Sequence, residues 1–275
     1  MPLPADCHVH SEWSWDTYAG DMEGSCARAL ELGLPAIAFT EHLDHTVWRF
    51  DRQGPYASAE LLANSDADGS VTPPPFDAAG YLAAVERCRD RFPGLRILSG
   101  AELGEPHRHA AAIERVLSAG RFDLLLGSLH ALPDGDAFAE PWHLYSHRDP
   151  AAVMREYLAA VVDMVQASDV FAVLAHIDYP VRFWPGAFEP REFEEEFRWA
   201  LAETAASGRA LEINTRLPLH GTILGWWCEA GGDAVTFGSD AHLPPLVGHG
   251  FAEAAGLAEA YGFRPGRTPY DVWRR

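Results

Sequence analysis

No lysine occurs among the 275 residues; arginine supplies all 21 basic side chains against 40 acidic ones, a formal net charge of −19. That deficit excludes a partner held through its phosphate backbone, because nucleic-acid affinity rests on many cationic side chains neutralising phosphates. Nucleic acid is therefore not expected as a partner, and any clamp on a smaller anion must be an arginine, a metal or backbone amides. Cysteine is scarce too. Cys7, Cys26, Cys88 and Cys228 contain no CxxC pair, which removes a zinc knuckle and a disulfide framework and leaves them as buried thiols. No segment approaches the roughly 18 uninterrupted apolar residues of a membrane helix. The start MPLPADCH has neither a basic region nor an apolar stretch of the secretory kind. The expectation is a cytoplasmic protein with no membrane partner. Nothing in the pattern specifies an oligomeric state.

What is present is apolar and ordered in a repeat. Hydrophobic residues make up 48% of the chain, enough for the core of one domain. Short apolar runs lie at 3–10, 35–42, 95–102, 122–130, 170–176, 209–214 and 233–240. Between them the alanine-rich stretches 24–33, 78–92, 108–119, 150–168, 190–207 and 247–261 read as helices from their good formers and apolar spacing. Near-continuous apolar strands alternating with helices predict parallel strands buried on both faces, hence an α/β barrel or a doubly wound sheet. The segment 46–76, rich in Pro, Gly, Ser and Asp, reads as a long active-site loop rather than a domain linker.

The polar ends of these runs carry the chemistry. The first ends in His8 and His10, the second in Glu41 and His42, the third in Glu102 and the fourth in His130. The fifth ends in His176 and Asp178, the sixth in Glu212 and Asn214, the seventh in Asp240 and His242. In a parallel barrel all carboxyl ends meet at one mouth, so residues distant in sequence converge on one pocket. His8 and His10 have the period-two spacing that puts both imidazoles on one side of a strand, and Asp240 and His242 repeat it. One such pair is weak evidence for a metal, since surface histidines are common. Six of the 13 histidines at predicted strand ends are a different matter.

Seven segments, DCHVHSEWSWD, AFTEHLDH, GAELGEPH, LLGSLHAL, LAHIDYP, LEINTR and TFGSDAH, together resemble in order the PHP (polymerase and histidinol phosphatase) phosphoesterases, over about residues 6 to 250. The resemblance implies a single-domain α/β fold, a distorted (β/α)7 TIM-like barrel, with two to three divalent metal ions (zinc, manganese or iron) at its mouth. It implies one ion held by His8, His10, Glu102 and Asp240, a second by Glu102 as a bridge with His130 and His176, and a third by Asp16, His42 and His242. Many members carry histidine where this chain has Asp16. A hydroxide shared by two ions would attack phosphorus, with Glu102, Asp240 and His242 in the reacting centre. Within the family, the length, the long loop and the EINTR and SDAH motifs most resemble members that release phosphate from L-histidinol phosphate. The implied partner is a small-molecule phosphate ester. Alternatives are another ester or nucleotide, or an amidohydrolase-like barrel, in which Glu102 would have to replace a carboxylated lysine. A non-enzymatic metal-binding barrel is a further reading.

Other polar residues carry less. Arg182 and Arg216, just past the fifth and sixth runs, could clamp a phosphate or could equally form surface ion pairs. His45, His107, His109 and His220 read as solvated or capping loop residues, and His143, His147 and His249 as structural or exposed. Trp13, Trp15, Phe183 and Trp184 could face an imidazole-bearing substrate, although aromatics beside a barrel mouth more often pack.

Overall fold

The computed structural model of the chain describes residues 3–54, 56–268 and 270–275. Seven parallel strands follow one another around a sheet in chain order: β1 (Asp6–Val9), β2 (Ala36–Leu43), β3 (Arg96–Gly104), β4 (Leu124–Ser128), β5 (Val173–Leu174), β6 (Ala210–Asn214) and β7 (Ala234–Gly238). Every residue of β1, β6 and β7 is buried, as expected of strands covered on both faces. An eighth strand, β8 (Trp273–Arg274), runs antiparallel to the first residues of β7. The carboxyl end of β7 instead reaches β1: Asp240 N donates to His8 O at 2.8 Å and His10 N to Ala241 O at 2.9 Å. The sheet therefore curls until its two ends join at the carboxyl mouth, while β8 occupies the other end of β7. That is the distortion of the (β/α)7 TIM-like arrangement.

Helices α1 (Met22–Leu32), α2 (Ala78–Arg91), α3 (Ala110–Leu117), α4 (Pro150–Ala167), α5 (Glu194–Ala206), α6 (Gly221–Glu229) and α7 (Phe251–Ala260) connect the strands. Their starts are chemically marked: Asp21, Asp77 and Asp149 accept from the backbone N–H groups of Gly24, Gly80 and Ala152. Helix α6 had no counterpart among the alanine-rich stretches, because GTILGWWCE holds two glycines and two tryptophans; burial of Ile223, Leu224, Trp226 and Trp227 forms it instead. The stretch 190–207 begins as a 3₁₀ turn at Pro190–Phe193 before α5, and the run 170–176 shrinks to a two-residue strand. The segment 46–76 carries structure of its own, a ribbon pairing Trp48–Arg49 with Ser70–Val71 and a short helix, Ala59–Ala63. Trp48, Phe50 and Val71 form a second small core with Ala131 and Trp142. No helix among the described residues is long and apolar enough to cross a membrane.

A buried carboxylate fastens the closure. Asp6, with no exposed surface, accepts from Ser239 N at 3.0 Å, Ser239 Oγ at 2.6 Å and Gly248 N at 2.9 Å, tying the first strand to the chain leaving β7. Asp6→Ala leaves those donors unpaired and is expected to lower stability by about 3 kcal/mol. Denaturant unfolding should show a lower midpoint at unchanged m-value; an unmoved midpoint would show that the closure does not need this carboxylate.

Candidate metal centre

Glu102 leaves β3 directly into the mouth and is 1% exposed. Its Oε1 lies 2.7 Å from His176 Nε2 and 3.1 Å from His130 Nε2. Its Oε2 lies 3.1 Å from His42 Nδ1, 3.3 Å from His8 Nε2 and 3.5 Å from His10 Nε2. Asp240 Oδ1 completes this side, 3.5 Å from His10 Nε2 and 4.0 Å from His8 Nε2, with the two imidazole Nε2 atoms 3.0 Å apart. Four ligands about 2.0 Å from a tetrahedral ion are separated by about 3.3 Å. The separations among His8, His10, Glu102 and Asp240 scatter around that edge. The alternation of β1 accounts for the pair: Val9 turns into the core while His8 and His10 share the opposite face.

The third set also assembles. Asp16 Oδ2 lies 3.2 Å from His242 Nε2 and 3.4 Å from His42 Nε2. Among the described residues, trios of donor atoms within 4.8 Å of one another include His8–His10–Glu102, Glu102–His130–His176 and His10–His42–His242. Asp16 Oδ1, His42 Nδ1 and Glu102 Oε2 are buried without a hydrogen-bond partner. Buried acceptors left unpaired are costly, and cations bound at these clusters would satisfy them. The donor set thus fits divalent ions of the zinc, manganese or iron kind. All nine residues expected to ligate metal meet here.

The charges lock together. Burial would raise the Glu102 carboxyl, but His8, His130 and His42 hold it well below the usual range. Burial would likewise depress the His8 imidazole, yet Glu212, Glu102 and Asp240 hold it well above its ordinary value. His10 goes the other way, pushed down by burial and by His42 and His242.

Several residues at the strand ends stand behind the candidate ligands rather than among them. Glu212 Oε1 meets His8 Nδ1 at 2.7 Å, and its Oε2 accepts from His176 N at 2.8 Å and Asn214 Nδ2 at 3.1 Å. Carboxylates in this position fix an imidazole's tautomer and orientation. Gly238 is what makes room, since a Cβ there would sit 2.0 Å from Glu212 Oε1 and 2.5 Å from His8 Cβ. Glu41 turns to Ser11 and Ser14. Asp178, pushed up to about 6 by burial, faces Arg182, which offsets part of that rise.

The two arginines converge on one candidate ligand, Asp240. Arg182 Nη2 donates to Asp240 Oδ2 at 2.5 Å and to Asn214 Oδ1 at 3.3 Å, while Arg216 Nη1 lies 3.4 Å from Asp240 Oδ1 and 3.2 Å from His242 Nδ1. Arg182 is 12% exposed and Arg216 50%. Asp240 holds φ of +52°, an uncommon conformation for a non-glycine residue that recurs at functional sites.

The candidate ligands open onto a cavity of about 490 Å³. Trp15 and Phe183 line it, as do Thr46, Trp48, Ser58 and Leu61 of the segment 46–76. Trp13 instead packs against Tyr81 and Gly80, and Trp184 against Tyr145 and Phe193. His220 caps α6, His109 pairs with Thr46 at 2.8 Å and His147 with Asp134 at 3.1 Å. His45, His107, His143 and His249 are likewise absent from the cavity wall. Three acidic wall residues escaped the strand-end reading. Asp44, held by Trp15 Nε1 at 2.9 Å, lies 3.6 Å from His42 Nδ1. Its signal was the period-two step from His42 in EHLDH. Glu105, at φ of +46°, accepts from the backbones of His130 and Ala131, and Glu140 accepts from Tyr179 and Trp142.

Known proteins bear on this arrangement. The PHP domain family matches residues 6–216. A histidinol-phosphatase of Lactococcus lactis is 27% identical over 269 residues, 94% of this chain and 91% of that protein. A Deinococcus radiodurans protein named a probable histidinol-phosphatase is 27% identical over 259 residues, 90% of each. The crystal structure of the Lactococcus lactis histidinol phosphate phosphatase, solved with zinc, L-histidinol and phosphate, superposes with a TM-score of 0.77 over 99% of both chains at 24% identity. With the family matched across most of its length and the motifs assembled at one mouth, the chain belongs to the PHP domain family.

Proposed function

We propose that this chain is a metal-dependent phosphomonoesterase that hydrolyses L-histidinol phosphate to L-histidinol and phosphate. The observation that carries the reading is the nest of imidazoles around both oxygens of Glu102, with Arg182 and Arg216 beside it on the wall of the same cavity. The relatives named histidinol-phosphatase and the neighbour solved with L-histidinol and phosphate support the substrate.

His8, His10, Glu102 and Asp240 would hold one ion, Glu102, His130 and His176 a second, and Asp16, His42 and His242 a third. Two or three divalent ions held there would supply Lewis acidity, lowering the pKa of water and neutralising phosphoryl charge. The chain's own groups bind and orient the ester. Arg182 uses Nη2 on Asp240 and Asn214, and its guanidinium, on the cavity wall, would bind a phosphoryl oxygen. Arg216, half exposed, adds a second guanidinium at the rim. Trp48, Trp142, Tyr179 and Phe183, with the carboxylates of Glu105 and Glu140, line the space left for a flat, cationic leaving group. The segment 46–76, supplying part of that wall, is the active-site insertion of a single catalytic domain.

Four outcomes follow from this reading. The value of kcat/KM for L-histidinol phosphate should exceed that for p-nitrophenyl phosphate by at least about a hundredfold, roughly 2.7 kcal/mol of transition-state discrimination. Equal rates on all monoesters, or a preference for nucleotides, would discard the substrate and leave a general phosphoesterase. Glu102→Ala should cut turnover by more than about a hundredfold with the fold intact, and wild-type protein stripped by chelator should lose activity until zinc or manganese is returned. Undiminished activity in metal-free protein would exclude this mechanism. Arg182→Ala and Arg216→Ala should each lower kcat/KM by a similar factor for every phosphate ester tested. A variant that impairs one ester far more than another would show that its arginine reads the leaving group.

A further inference from the structure

The proton bookkeeping around Ser14 points to a role for Glu41 that strand-end position did not suggest. Glu41 is fully buried and receives three donors: Ser11 N to Oε2 at 3.0 Å, Ser11 Oγ to Oε1 at 2.5 Å and Ser14 Oγ to Oε2 at 2.6 Å. Three donors on one group mark it as the acceptor of the Ser14 proton. A serine hydroxyl has one proton and two lone pairs. With the proton committed to Glu41, one lone pair takes the backbone N–H of His42 at 3.0 Å and the other faces His10 Nδ1 at 2.9 Å. His10 Nδ1 must then carry the ring proton. Its Nε2 is left bare, and that is the atom beside Glu102 and Asp240.

We infer that Glu41 is a positioning residue which, acting through Ser14, sets the tautomer of His10 so that Nε2 presents a lone pair to a cation. It parallels the direct contact of Glu212 with His8, with a hydroxyl interposed. The inference rests on the proposed metal-binding role of His10 and not on the identity of the substrate.

Two variants separate acceptance from charge. Glu41→Gln can keep its amide oxygen toward Ser11 N and Ser14 while its amide nitrogen donates to Ser11 Oγ, so Ser14 keeps its orientation. Glu41→Ala removes the acceptor and frees the hydroxyl to donate to His10 instead. The tautomer of His10 is read in metal-free protein from imidazole ¹⁵N shifts, and zinc affinity by competition with a chromophoric chelator. Glu41→Gln should keep the Nδ1–H form and bind zinc within about threefold of wild type. Glu41→Ala should populate the Nε2–H form and weaken zinc at least about tenfold. Should Glu41→Ala fail to fold, Ser14→Ala is expected to give the same tautomer change. An unchanged tautomer in the folded alanine variants, or a glutamine variant as impaired as alanine, would overturn the inference. Failure of wild-type protein to bind zinc would instead remove the proposed function, leaving the tautomer measurement to stand alone.

Discussion

A carboxylate at 1% exposure cannot remain ionised in a protein interior without close compensation, and Glu102 is the group on which this architecture turns. Desolvation alone would neutralise it. Five imidazoles within 3.5 Å of its oxygens reverse that balance. They come from four separate places: the end of β1, the end of β2, and the loops after β4 and β5. A curled parallel sheet is a simple way to deliver them to one point, because it brings every carboxyl end to the same rim. The electrostatic requirement and the topology are thus one constraint seen at two scales.

Closing the rim demands further concessions near it. The two ends of the sheet meet through only a few hydrogen bonds, so Asp6 ties them from below, with Ser239 and Gly248 as its donors. Gly238 leaves no Cβ where Glu212 passes behind His8, and Gly104 does the same for Asp44, whose Oδ1 would otherwise lie 2.2 Å from a side chain. Asp240 accepts a left-handed backbone to aim its carboxylate at His8 and His10 while its other oxygen meets Arg182. Each is a local cost in backbone freedom or buried polarity that is stabilising only once the whole rim is assembled.

This division explains which parts could be read from the chain before its structure. Most of the candidate ligands were legible because they sit at the ends of apolar runs, and His8–Val–His10 shows the strand period directly; Asp16, six residues past His10, ends no run and came only from the family resemblance. Residues that act from behind a ligand bear either the same mark or none. Glu41 and Glu212 looked like ligands because they share the same strand ends, and only three-dimensional partners separate an acid facing the cavity from one facing a serine or an imidazole's far nitrogen. Ser14 had no signal at all. Elements that depend on tertiary burial were equally hidden: α6 has poor helix formers, β5 has two residues, and the ribbon within 46–76 is made by a small aromatic core rather than by local preference.

The absence of lysine acquires a meaning at the mouth. A lysine ammonium is a compact charge on a flexible stem, whereas a guanidinium can hold a carboxylate with one nitrogen and still present another donor in a fixed plane. Arg182 is arranged in that way, anchored to Asp240 and Asn214 through Nη2 with its Nε–H unpaired. Because Asp240 also contributes to the His8–His10–Glu102 cluster, a single carboxylate joins the arginine side of the site to its imidazole side. In a chain of net charge −19, local pairing matters more at this mouth than any overall field: Glu102 and Asp240 are engaged by imidazoles and arginines, Glu105 by backbone N–H groups, and Glu140 and Asp44 by tyrosine and indole donors.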